Sequence, residues 1–405
     1  MSGFPLNCLF GVVSIIELKV CVIFLITNCF SHVRTFFVSK LKVFFPKFVP
    51  ETKLSARNSE GSQLITVHTE MVEQKLQTGS NREFMATYYN KGNKPTKTGF
   101  GEGLLEAGLR NQEVVCIGAD ITTSVGCNLF ADALPHRFIS LGIAEQNCLG
   151  VAAGLALEGK IPVFSTYGVF AALRAADQIR ISVCYNNVHV VIGGAHAGVS
   201  VGPDGATHQA LEDIGIMRVL PNMTVLSPCD ATQARLATIA AIEQCKGPVY
   251  IRFGREAMPD FTSDLPGFEI GRSQLLRQGN DLTLIATGHM VWEALLAADI
   301  LETSGIQARV INMHTIKPID QGAIIQAARE TGAIVTAEEH QVHAGLGSAV
   351  AEVVVQHHPV PMTFIGMPDC FGESGDPRQL MEKYGMTAAA IAEAGKKISL
   401  VKPNT

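Results

Sequence analysis

The stretch "VGPDGATHQ" (201–209) turns the chain on Gly202-Pro203-Asp204-Gly205 and presents His208 directly afterwards. Glycine accepts backbone angles that other residues avoid, so such a turn can aim one side chain at a chosen point. A histidine aimed in this way can donate or accept a proton near neutral pH. Other chemistry-bearing residues stand just beyond apolar runs. Asp120 and Ser124 follow "EVVCIGAD", and Glu145 follows "HRFIS" within "SLGIAEQN". Tyr167 and Phe170 follow "KIPVFST", His196 follows "NVHVVIGG", and Arg255 follows "GPVYIRF". Gly142, Ile143, Ala144, Cys148 and Leu149 give Glu145 neighbours of little polarity, which disfavour a free carboxylate. A guanidinium fork and an imidazole suit a phosphate. Each residue taken singly also has a plainer reading. Glu145 could complement a helix dipole, Asp120 could cap the next helix, and Tyr167 and Phe170 could be core. His196 and His208 could be solvated loop residues, and Arg255 a surface charge. His340 and His343 in "EEHQVH" suggest a metal only weakly, with no third ligand in view. "AGLGSAV" lacks the third glycine of a dinucleotide fingerprint.

The apolar runs predict the elements that hold these groups. Strands are expected over 113–120, 136–140, 160–166, 187–194, 223–228 and 247–253. Helices are expected over 144–159, 167–183 and 230–245, the last with Asp230 as N-cap. A stretch rich in Pro, Gly, Asp and Arg follows. A second unit then has strands at 281–288, 307–313 and 332–339 and helices at 291–305 and 346–358. Near-continuous apolar strands separated by helices imply parallel sheets buried on both faces. The predicted fold is α/β with two doubly wound domains, 85–262 and 281–405, joined by a linker at 263–280. Ligands of open parallel sheets collect at the carboxyl ends of strands. The candidate groups therefore fall on one edge of the first sheet.

The chain has 405 residues, 47% hydrophobic and 17% charged, with a formal net charge of −5. That is a globular balance with no basic patch for nucleic acid in the body of the chain. Seven of the ten cysteines lie in the main body without a Cys-x-x-Cys pair, which reads as reduced thiols in a cytoplasmic protein. Residues 1–84 differ in character. Residues 1–50 hold nine of the twenty phenylalanines and a single acid, Glu17. The apolar stretch 20–30 is shorter than the roughly 20 residues of a membrane span, so a membrane anchor is the lesser reading. The preferred reading is a segment that is not translated, with Met85 as the physiological start.

Three longer stretches bear on function together. "RFISLGIAEQNCLGVAAGLALEGKIPVFSTYGVF", "HAGVSVGPDGATHQALEDIGIMRVLPNMTVLSPCD" and "GPVYIRFGR" resemble the C-terminal half of a transketolase. The similarity is greatest to the separate C-terminal subunit of split transketolases and covers about residues 95–400. It implies a pyrimidine-binding domain followed by a transketolase C-terminal domain, and thiamine diphosphate as cofactor. By this resemblance Glu145 holds the ring nitrogen of the cofactor's pyrimidine, and Tyr167 and Phe170 flank that ring. Leu173 stands where a third aromatic is common. Asp120 lies near the cofactor, Asp204 meets a donor hydroxyl, and His208 meets the reacting oxygen. His196, Ser124 and Arg255 hold the sugar phosphate, and Lys97, before the first helix, replaces a further arginine. The C-terminal domain is expected to contact no cofactor.

The Gly-Asp-Gly…Asn motif that carries Mg²⁺ and the diphosphate in this family does not occur in these 405 residues. The resemblance therefore implies an N-terminal partner subunit, an α2β2 assembly and transfer of a two-carbon ketol unit between sugar phosphates. A sulfo- or deoxy-sugar transketolase, a deoxyxylulose-phosphate-synthase-like enzyme and an inactive regulatory paralogue are the alternatives.

Overall fold

The computed structural model describes residues 88–263, 265 and 267–401. Both readings of the first 84 residues lie outside them. The strands are β1 (Asn93–Pro95), β2 (Val114–Gly118), β3 (Phe138–Ser140), β4 (Ile161–Tyr167), β5 (Val191–Ala195), β6 (Thr224–Leu226) and β7 (Val249–Arg252). They continue as β8 (Ala257–Pro259), β9 (Gln274–Arg277), β10 (Leu282–Ala286), β11 (Ala308–Asn312), β12 (Thr315–Lys317), β13 (Ile334–Gln341) and β14 (Met362–Met367).

The first sheet has the order β12-β6-β7-β5-β4-β2-β3, and the second β14-β13-β10-β11-β9. Central strands such as β2 and β5 are buried along their whole length. Burial on both faces is why they read as unbroken apolar runs. The fold is the expected α/β with parallel sheets, with one difference at each margin. β12 joins β6 antiparallel, and β9 joins β11 antiparallel. β9 lies inside the stretch read as linker, and β12 is a strand of the second half that completes the first sheet.

Asp230 caps its helix as predicted, accepting from Gln233 N–H at 2.7 Å. Its other oxygen accepts from Phe261 and Thr262 N–H at 2.9 and 2.7 Å, tying down the chain as it leaves the first sheet. The helix expected over 167–183 is different. β4 runs through Tyr167, and the chain then winds in wide π-type turns at Phe170–Arg174 and Ile179–Tyr185. Apolar spacing is similar in α and π turns, and π turns are common at functional sites. Lys97 stands in the first turn of the helix Thr96–Arg110, not before it. Among the described residues no helix is long and apolar enough to cross a membrane.

Candidate active site

Strands β2, β3, β4, β5 and β7 run parallel and end on one edge. Each delivers a predicted residue there. Glu145 opens the helix Glu145–Leu157 after β3, with its side chain only 3% exposed. Arg174 Nη1 donates to Glu145 Oε1 at 2.8 Å, and the same guanidinium lies 4.1 Å over the Phe170 ring. Tyr167 ends β4, with its ring 5.7 Å from that of Phe170. His208 packs edge-on to both rings, at 5.6 and 5.3 Å. Its Nδ1 pairs with the Thr207 hydroxyl at 2.9 Å. On its other side Tyr167 stacks on His196 at 4.4 Å. His196 lies 3.9 Å from Asp204, and Arg255 Nη1 donates to Asp204 Oδ1 at 3.1 Å. Contacts thus run without a break from Glu145 to Arg255.

His196 is buried, in left-handed backbone at φ 52°. Its Nε2 meets the Ser124 carbonyl at 3.1 Å, while its Nδ1 is buried without a hydrogen-bond partner. Burial, then the Lys97 and Arg255 charges, lower its pKa to about 4, against the opposing pull of Asp204 and Ser124. The ring is therefore neutral at pH 7, and an unpaired ring nitrogen faces Asp204. Ser124 enters these contacts through its backbone carbonyl. Lys97 enters through its charge on His196. Asp120 stands exposed on the same edge at φ 66°. It joins none of these contacts among the described residues. Nor does it cap the next helix, Asn128–Ala133, whose N-cap is Cys127.

The Gly202–Gly205 turn is built from short 3₁₀ turns over Val199–Asp204, with Gly202 and Gly205 both at φ 75°. Its backing comes from the second half of the chain. A Cβ on Gly202 would lie 2.8 Å from Pro377, and one on Gly205 2.4 Å from Ser374 Oγ. Gln209 Nε2 donates to the Val199 carbonyl at 3.1 Å and to the Glu373 carbonyl at 2.9 Å. Arg174 and Gln209 were not singled out from sequence. Arg174 was findable, since it stands four residues after Phe170. Gln209 was visible beside His208 but carried no mark of its partner, 164 residues away. His340 and His343 are not brought together with these groups. His340 accepts from Gly215 N–H at 3.3 Å, a structural contact.

A buried carboxylate, two tilted aromatic rings and a neutral imidazole suit a flat heteroaromatic ring and the polar substrate beside it. The first parallel sheet carries this site on its carboxyl edge, where open α/β sheets collect their ligands. Residues 93–260 match the family model "Transketolase, pyrimidine binding domain", and residues 271–391 match "Transketolase, C-terminal domain". A 6-deoxy-6-sulfo-D-fructose transketolase subunit, SqwH, of Clostridium sp. (strain MSTE9) is 43% identical over 296 residues, covering 73% of this chain and 92% of that one. A putative transketolase C-terminal section of Methanocaldococcus jannaschii is 42% identical, covering 74% and 95%. A solved split-gene transketolase, described as an inactive beta4 tetramer, superposes with a TM-score of 0.71 at 47% identity, covering 77% of this chain and 100% of that one. The chain belongs to the transketolase family, and its relatives include split C-terminal sections.

Proposed function

We propose that this chain is the C-terminal subunit of a split, cytoplasmic transketolase, moving a two-carbon ketol unit from a ketose phosphate to an aldose phosphate. The unbroken run of contacts from Glu145 to Arg255 is the observation that carries this reading. Thiamine diphosphate, the cofactor of the family in general, would supply the carbon nucleophile. Glu145 would hold its pyrimidine through a proton at the ring nitrogen, against the rings of Tyr167 and Phe170, with Asp120 at its margin. His208 would hydrogen-bond the reacting carbonyl oxygen and move its proton. Asp204 would orient the neighbouring hydroxyl, and His196, Arg255 and Lys97 would hold the terminal anion, with the Ser124 carbonyl orienting the His196 ring. The Mg²⁺ and the diphosphate would be held by an N-terminal partner subunit in an α2β2 assembly, closing the site between chains. The exposed apolar side chains Ile143 (73%) and Leu173 (51%) support this, because they lie near the paired Glu145 and Arg174 in the chain. Purification from the native host with thiamine diphosphate and Mg²⁺ should bring down a second chain bearing Gly-Asp-Gly. A chain that purifies alone and binds no such partner would refute the assignment.

A second reading changes the donor only. Lys97 offers a point charge where a fork is common, which suits a sulfonate as well as a phosphate, and the 43% identical Clostridium relative is named for a sulfo-sugar. KM values for fructose 6-phosphate and 6-deoxy-6-sulfofructose in the assembled enzyme decide between them.

A further inference from the structure

Glu339 lies two residues before the end of β13 at Gln341, outside every contact described above, and its side chain is only 3% exposed. Its Oε1 accepts from Ser200 N–H at 2.6 Å, inside the loop that joins His196 to His208. Its Oε2 lies 3.5 Å from His289 Nδ1. The loop approaches closely at this point. Gly198 sits at φ 90°, and a Cβ there would lie 2.2 Å from the Glu339 carboxyl carbon. Arg252, paired with Asp213 at 3.0 Å, donates to the Glu339 carbonyl at 2.7 Å and to the Ala210 carbonyl at 3.0 Å, at the far end of the same loop. Burial pushes the Glu339 carboxyl up, but His289, Arg252 and the Ser200 N–H outweigh it and hold the group below its ordinary value. A buried carboxylate is costly unless paired and hydrogen-bonded, and this one directs one of its oxygens at a loop amide.

We propose that Glu339 is a positioning residue for substrate binding: from the C-terminal domain it grips the backbone at Ser200 and so fixes His196 and Asp204 around the sugar's polar end. This rests on the transketolase reading and gives the second half of the chain a part in substrate recognition. Glu145, Tyr167 and Phe170 are carried by other elements and touch the loop only through ring contacts with His196 and His208, so the grip bears first on the substrate side of the site.

Two variants separate a grip from a mere buried charge. Glu339→Gln keeps the reach and an accepting oxygen. Glu339→Asp keeps the charge but withdraws the oxygen by one methylene. In the assembled enzyme, Glu339→Asp should raise the donor KM about tenfold, the scale of one lost hydrogen bond to a charged group. Thiamine diphosphate affinity should stay within about twofold, while Glu339→Gln stays near wild type in both. Amide exchange in the peptide covering 196–209 should accelerate in Glu339→Asp and not in Glu339→Gln. The reverse order, with Gln impaired and Asp tolerated, or unchanged exchange in both variants, would overturn the proposal. If wild type turns over no ketose phosphate, the functional reading fails, and the exchange data still decide whether Glu339 grips the loop.

Discussion

Glu145 and His196 illustrate two uses of burial. Glu145 is shielded from water and meets one guanidinium, so a ligand nitrogen approaching its carboxyl competes with Arg174 and not with bulk solvent. Glu145→Gln keeps the shape and removes the acid. Turnover in the assembled enzyme should fall by about 10²–10⁴, the usual worth of acid–base catalysis, and retention of most activity would defeat the assignment. His196 is different: burial and two cations lower its pKa to about 4. Between pH 6 and 8 it stays neutral, so kcat/KM profiles of wild type and His196→Asn should run parallel there. An acid limb near pH 6.5 that vanishes in the variant would contradict this. The linkage has a definite sign. The unfolded chain takes the His196 proton near pH 6.5 and the folded chain only near 4. Stability from the neutral ring is therefore complete above 6.5 and is lost as pH falls towards 4. Denaturation midpoints of wild type and His196→Asn should converge over that window.

The elements differ in how far sequence revealed them. Strands β2, β4, β5, β7, β10, β11 and β13 were legible because burial on both faces leaves short β-branched runs bounded by polar residues. β12 is three residues long and is defined by a partner, β6, almost ninety residues earlier, which no local pattern records. The wide turns after Phe170 shared their apolar spacing with an ordinary helix. Asp120, Glu145, Tyr167, His196 and Arg255 stood out as candidates because they close or follow strands, whereas Glu339 was hidden: its partner Ser200 is 139 residues away. "GAIVTAEE" showed two acids closing a buried strand and nothing more. The loop element carries its own prediction. Gly198→Ala combines a left-handed φ with a Cβ driven into the Glu339 carboxyl. The variant should lose about 1–3 kcal/mol of stability by denaturant titration, and a stability equal to wild type would mean that the loop does not pass against Glu339 as described.

On the proposed reading the whole molecule is one half of a catalytic arrangement. Its second half supplies β12 to the first sheet and braces the loop that carries His208, so neither half is a bystander to the site. The groups suited to a pyrimidine ring and a sugar are gathered on one edge, whereas the motif for Mg²⁺ and a diphosphate is missing from these 405 residues. Ile143 and Leu173 stand exposed, the one two residues before Glu145 and the other next to Arg174 in the chain. Leu173→Glu should weaken assembly with the partner by at least about tenfold in sedimentation, as expected for a charge set into an apolar contact, while leaving the isolated chain folded. Ketol transfer by the purified chain, assayed with thiamine diphosphate and Mg²⁺, first alone and then with the N-terminal section added, tests the need for that partner most directly. The expected result is no turnover alone and full turnover on addition; full activity from this chain by itself would contradict it.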